Sequence, residues 1–109
     1  MFILINMKIG IRITNPDIAE IKVSGEIDRA AGLNITEALE STMKHGEIRL
    51  DLSEAGLLAS SFINALVVFR NQHPKQSKKL RIVKPSPDAA KILRLTNLDR
   101  IFTVTNQNE

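Results

Sequence analysis

Apolar and polar residues alternate near the start of the chain. Ile9, Ile11 and Ile13 share one face, with Lys8, Gly10, Arg12 and Thr14 opposite. That period of two predicts a β-strand. Ile3 and Ile5 extend the alternation toward the N-terminus, and Asn6-Met7-Lys8 reads as a turn or bulge between two strand pieces. Asn15-Pro16-Asp17 is a turn by composition. A second strand runs from Ile18 to Val23, with Ala19, Ile21 and Val23 alternating against Glu20, Lys22 and Ser24. Gly25 lets the chain bend.

The period then lengthens. Ile35, Leu39 and Met43 recur every four residues and share a face with Ala31 and Ala38, which predicts a helix to about Lys44. Asp28 stands at or just before its start, although Gly32 shifts that start toward Leu33. Gly46 is expected to end the helix in the left-handed conformation. Glu47 to Leu52 returns to strand. Phe62 to Phe69 is apolar almost throughout, but the serine pair before it, Asn64 and Ala65 within it, and Arg70-Asn71-Gln72 after it favour a helix from Ser61 to Gln72. Ser60 is its expected cap. His73-Pro74 breaks the chain, and Leu80 to Val83 forms the next strand. Ser86 caps a short helix whose first residue is Pro87 and whose apolar side is Ala89, Ile92, Leu93 and Leu95. Leu98 and Ile101 pack back on the body, and Phe102 to Val104 closes as a short strand.

This order predicts an α/β fold: one mixed sheet of four to five strands with helices packed on it. The middle of the chain implies parallel pairs with right-handed crossovers, and the β–β start adds an antiparallel edge. Residues 1–104 make a single domain and 105–109 a polar tail. The apolar start, Met1 to Ile5, is too short to span a bilayer.

Composition narrows the chemistry. There is no cysteine among the 109 residues, which excludes disulfides and zinc–thiolate sites and agrees with a cytoplasmic location. The net charge of +3 is unevenly spread: Arg70, Lys75, Lys78, Lys79, Arg81 and Lys84 fall in fifteen residues with no acid among them. Such a stretch suits an acidic protein face or phosphate. With no Trp or Tyr in the chain, and no Phe interleaved, the stacking half of a single-strand nucleic-acid site is missing. His45 and His73 each sit at a helix end, with no reason to lie near Ser61, so no nucleophile–base pair is visible. No metal-ligand cluster, dinucleotide fingerprint or phosphate loop occurs either. The reading is a protein without cofactor, metal or catalytic role. What remains is a surface where strand ends meet helix starts: Ser24 to Asp28, Ser60-Ser61, and Lys84 to Asp88.

Three segments in order resemble the STAS family, named for sulfate transporters and anti-sigma factor antagonists. They are Val23-Ser24-Gly25-Glu26-Ile27-Asp28, then Asp51-Leu52-Ser53 with the crossing to Ser60-Ser61, then Leu80-Arg81-Ile82-Val83 with the segment from Ala90 to Val104. The resemblance implies a stand-alone, non-enzymatic regulatory domain of the anti-sigma factor antagonist type. Its partner would be a histidine-kinase-like serine kinase that is itself the anti-sigma factor. By position Ser61 is the phosphoacceptor and Ser60 its neighbour, and Asp28, Ser60, Ser61, Phe62, Ile63, Lys84 and Ser86 form the partner surface.

Two residues depart from the family's central motif: Ala59 stands where Asp is expected and Phe62 where Gly is expected. Phe62 either protrudes as an anchor or turns into the core. Both changes suit a second reading, an adaptor of a lipid-transport ATPase or a signalling assembly that is not phosphorylated. Nucleic-acid binding through residues 70–84 is a third. Family members commonly continue past the final Phe-x-Val segment with a further helix. Five residues follow here, and a homodimer would cover the side thereby left bare.

Overall fold

The computed structural model describes residues 7–15, 17–25, 31–56 and 58–105. These form a five-stranded sheet in the order β1-β2-β3-β4-β5. The strands are β1 (Met7–Asn15), β2 (Ile18–Gly25), β3 (Glu47–Ala55), β4 (Leu80–Val83) and β5 (Thr103–Thr105). β1 runs antiparallel to β2, and the remaining neighbours are parallel. The connections carry α1 (Ala31–Thr42), α2 (Ser60–Gln72), α3 (Pro74–Ser77), α4 (Pro87–Leu95) and α5 (Leu98–Ile101). This is the mixed α/β sheet that the alternation predicts. Asp28, the segment Met1 to Ile5 and residues 106–109 of the expected tail lie outside the described residues, while Thr105, expected in that tail, belongs to β5.

One apolar cluster holds these elements together. Ile21 and Val23, Ile48, Leu50 and Leu52, and Leu80 and Ile82 point from the sheet into it. The helices answer with Ile35 and Leu39 of α1, Phe62, Ala65, Leu66 and Phe69 of α2, and Ala89 and Leu93 of α4. The α2 set follows the i, i+3, i+4, i+7 spacing of a single helix face. Arg12, Glu20, Lys22 and Arg49 project from the opposite side of the sheet. There Arg12 pairs with Glu20 at 2.7 Å and Arg49 with Glu47 at 2.7 Å.

Several boundaries depart from expectation for local reasons. Met7 and Lys8 belong to β1 rather than to a turn, because Gly25 and Ser24 of β2 pair with them. β3 runs three residues beyond Leu52, held by Ser24 and Gly25. Gly46 does not adopt a positive φ. A Cβ there would lie 3.3 Å from the Asp17 Cβ, so its lack of a side chain serves close passage past Asp17. A four-residue helix, α3, follows His73 with Pro74 at its first position, which suits proline's missing N–H. Leu95 is 69% exposed rather than on the apolar side of α4. Ala89 and Leu93 lie one helical turn apart and face inward, and two further residues rotate Leu95 through roughly 200°. Ile101 is likewise exposed while Leu98 is buried.

Candidate functional site at the start of α2

β2 and β3 fall out of step between Lys22 and Ser24. Lys22 pairs with Asp51 and Ser24 with Glu54, so Leu52 and Ser53 together oppose Val23. This is a β-bulge, and it leaves the N–H of Ser53 to be satisfied locally. Asp51 does this: its Oδ1 accepts from the Ser53 N–H at 2.8 Å. The carboxylate is nearly buried, and its Oδ2 lies 3.7 Å from Nζ of Lys84. Lys84 reaches it from the left-handed region, φ 48°, while its N–H donates to the Thr105 carbonyl at 2.8 Å. Next to this pair, Lys22 bonds Glu54 at 3.1 Å. That hydrogen bond and the carboxylate charge push the lysine above its usual pKa.

The bulge carries β3 out to the end of β2. Gly25, at φ 87°, turns there, and its carbonyl accepts from the Gly56 N–H at 2.9 Å. From the other side Ser86 reaches the same strand end. Its N–H donates to the Leu52 carbonyl at 3.0 Å, and its hydroxyl donates to the Ala55 carbonyl at 2.7 Å. The same oxygen caps α4 by accepting from the Ala89 N–H at 3.1 Å. The ends of β2, β3 and β4 therefore meet at one edge of the sheet, and α2 departs from that edge.

The start of α2 differs from the sequence reading. Its N-cap is Ala59, extended at φ −72° and ψ 157°, and no side chain caps the helix. The Ala59 carbonyl accepts from the N–H groups of Phe62 and Ile63. Ser60 is thus the first helical residue rather than the cap, one position too late for its hydroxyl to fold back over the first turn. Ser60 is exposed and Ser61 half-buried, with Ser61 held by a contact within the chain.

Phe62 takes the inward course. It is 0% exposed and among the largest fully buried side chains, so its ring is not part of a partner surface. Ile63 is partly buried against the core. Ser86 is committed twice over to the backbone, and Lys84 to Asp51. Of the expected partner-surface residues that the structure describes, Ser60 faces outward, Ser61 is half-buried and Lys84 is partly exposed.

The basic stretch does not form one patch. Arg70, Lys75 and Lys78 are exposed around the C-terminal end of α2 and on α3. Lys79 donates to the Met43 carbonyl at 2.9 Å. Lys84 lies at the far end of β4, roughly 16 Å on at the rise of an extended chain. His73 stands at the opposite end of α2 from Ser61, roughly 18 Å away along the helix. There it pairs with Glu40 at 3.6 Å and packs on Phe69. No group of three metal-ligating side chains occurs among the described residues.

Sequence reasoning includes Asp51 in the segment that carries the family resemblance but gives its side chain no role. Its signal is an acid at a strand end two residues before a serine, the spacing at which a carboxylate can accept a backbone N–H.

A family model described as "Mlab, STAS domain" matches residues 13–105, most of the chain. The chain belongs to the STAS family. Solved structures share its fold. An anti-sigma factor antagonist from Mycobacterium paratuberculosis is 20% identical, with 93% of this chain and 86% of that one covered at a TM-score of 0.79. An anti-sigma factor antagonist (STAS) domain protein from Planctomyces limnophilus is 16% identical, with 92% and 91% covered at 0.72. The phosphorylated form of the Bacillus cell fate determinant SpoIIAA is 14% identical, with 89% and 90% covered at 0.67. As a STAS domain the chain is a regulatory, protein-binding module and not an enzyme. Among the described residues no helix is long and apolar enough to cross a membrane.

Proposed function

We propose that this STAS domain is an anti-sigma factor antagonist in the cytoplasm. It docks a histidine-kinase-like serine kinase on the edge around the start of α2, and phosphorylation of Ser61 releases it. One observation carries the reading: Ser60 and Ser61 open α2 at the edge where the ends of β2, β3 and β4 converge. A phosphoryl group on Ser61 brings a charge of about −2 to a helix N-terminus, whose dipole tolerates it. The same charge repels an acidic partner face and breaks a packed contact. In the transfer, the Ser61 hydroxyl oxygen bonds to the γ-phosphorus of ATP held by the kinase, the hydroxyl proton passes to the kinase and ADP departs. The domain is substrate and ligand in this step, and the catalytic groups belong to the partner. That one of the similar structures is the phosphorylated form of SpoIIAA supports the reading.

Ala59 and Phe62 favour a second reading, in which the same edge binds a partner permanently. The partner would be a lipid-transport ATPase or a larger signalling assembly. No acidic oxygen stands beside the serines at position 59, and the inward Phe62 fixes the helix start into the core. Intact-mass measurement of the protein from its own cells, with and without phosphatase, and capture of partners by wild type, Ser61→Ala and Ser61→Asp separate the two. The switch predicts one removable phosphoryl group on Ser61 and loss of the partner with Ser61→Asp alone. Unmodified Ser61 under several growth states, with equal capture by all three proteins, establishes the adaptor. The division of the basic stretch between the two ends of β4 supports neither reading and weighs against a continuous nucleic-acid groove.

A further inference from the structure

We propose that the outer edge of β1 pairs antiparallel with β1 of a second copy of this chain, about a two-fold axis through Ile11. Among the described residues β1 is the terminal strand of the sheet and is nine residues long, whereas the strand at the other edge, β5, has three. An edge strand directs alternate N–H and C=O groups away from its own sheet, and a long one offers a template for another strand. Natural edges are usually blunted by shortness, charge or proline. β5 is short, whereas β1 is long and carries two charges, Lys8 near its start and Arg12, the latter already bound to Glu20 at 2.7 Å.

The side chains along this edge are incompletely buried on one face. Ile9 packs partly against the core, but Ile11 and Ile13 are 47% and 48% exposed. Beside them, between β1 and α1, runs a groove of about 390 Å³ whose apolar walls are Ile9, Ile11 and Ala38.

A second copy completes this face because the pattern is self-complementary about Ile11. In an antiparallel pair centred there, Ile11 faces Ile11 of the second copy, and Ile9 faces its Ile13 in both directions. Each Ile13 then lies at the mouth of the other copy's groove. On the polar face Arg12 falls opposite Gly10 of the second copy. A Cβ at Gly10 would meet nothing within 4 Å, so the arginine stem has room to lie across it. Shifting the axis to residue 12 sets Arg12 against Arg12, and like charges directly opposite are destabilising. Shifting it to residue 10 sets glycine against glycine and removes the central side-chain contact. The register follows from the same residues that make the face apolar, and the contact is isologous, so it closes at two copies. This site lies at the β1 edge, apart from the start of α2, and leaves two α2 surfaces per dimer available to a two-fold partner.

Sedimentation equilibrium of the full chain should give a mass that rises with concentration from 12.1 kDa toward twice that value. Ile11→Lys places two ammonium groups against each other on the axis and should weaken association roughly tenfold or more. Circular dichroism should stay unchanged, because the side chain is half exposed. The register is tested separately, since the chain has no cysteine of its own. Directly opposed residues have Cα atoms about 4.5–5.5 Å apart, within reach of a disulfide. Ile11→Cys should therefore cross-link to itself under mild oxidation. Gly10→Cys should not, but a mixture of Gly10→Cys and Arg12→Cys should. A mass of 12.1 kDa at every soluble concentration overturns the proposal. So does a dimer indifferent to Ile11→Lys, or cross-linking of Ile11→Cys no faster than that of Asn71→Cys on exposed α2.

Discussion

Ser86 couples α4 to the end of β3 through one oxygen, and its removal has a calculable cost. In Ser86→Ala the first turn of α4 loses its cap to the Ala89 N–H, worth about 1 kcal/mol. The buried end of β3 loses the donor to the Ala55 carbonyl, worth about 1 kcal/mol more. The sum, about 2 kcal/mol, is a large part of the roughly 5–15 kcal/mol that stabilises a domain. At about 2.1 cal/mol/K per residue, 109 residues have an unfolding entropy near 0.23 kcal/mol/K, so the midpoint should fall by about 9 °C. The assay is thermal and urea unfolding of wild type, Ser86→Ala, Ser86→Asp and Ser86→Asn. Aspartate restores the capping oxygen but cannot donate to Ala55, so it should recover about half of the loss. Asparagine supplies both an acceptor and a donor and should recover more. A loss below about 0.5 kcal/mol in Ser86→Ala, or alanine and asparagine behaving alike, would refute the two-bond account. Lost partner capture at unchanged folded fraction would show that the hydroxyl serves the docking surface instead.

Two further outcomes concern the departures from the family motif. Phe62→Ala empties a fully buried ring site and should cost about 3–5 kcal/mol in chemical denaturation. A loss under about 1 kcal/mol would mean that the ring is not a core element. Ala59→Asp places an acceptor and a negative charge at the uncapped start of α2 and should raise stability by about 0.5–1 kcal/mol. A lower melting midpoint would show that the packing of Ala59 against the core leaves no room for the carboxylate.

Elements that depend on periodicity were legible along the chain. The two-residue alternation of Ile9 to Thr14 and Ile18 to Val23, the four-residue recurrence of Ile35, Leu39 and Met43, and the Ser86-Pro87 helix start all report local geometry. A side chain's face follows from the backbone period alone. The STAS resemblance was legible for the same reason, since its segments are strand ends and helix starts in a set order. Less legible were the places where a non-local partner decides. Nothing near Leu52 announces that β3 continues to Ala55. That continuation depends on Ser24 and Gly25, some thirty residues away, and on a bulge stabilised by Asp51.

The serine pair shows the same division. From the sequence it looked like a cap, because serine is a favoured capping residue and a long apolar run follows it. Packing placed it one residue further on. Phe62 must enter the core together with Ala65, Leu66 and Phe69, and that phase of the helix starts the first turn at Ser60 and leaves the cap to Ala59. The six basic residues from Arg70 to Lys84 were contiguous in sequence, yet β4 runs through the middle of them and carries Lys84 to the opposite edge, onto a buried carboxylate. By itself the sequence determined the strands, the three longer helices, their order and the family, because these rest on local periodicity and spacing, whereas the short helices α3 and α5 did not show in it. Only the tertiary structure decided which hydroxyls and charges remain outward, because that depends on partners distant along the chain.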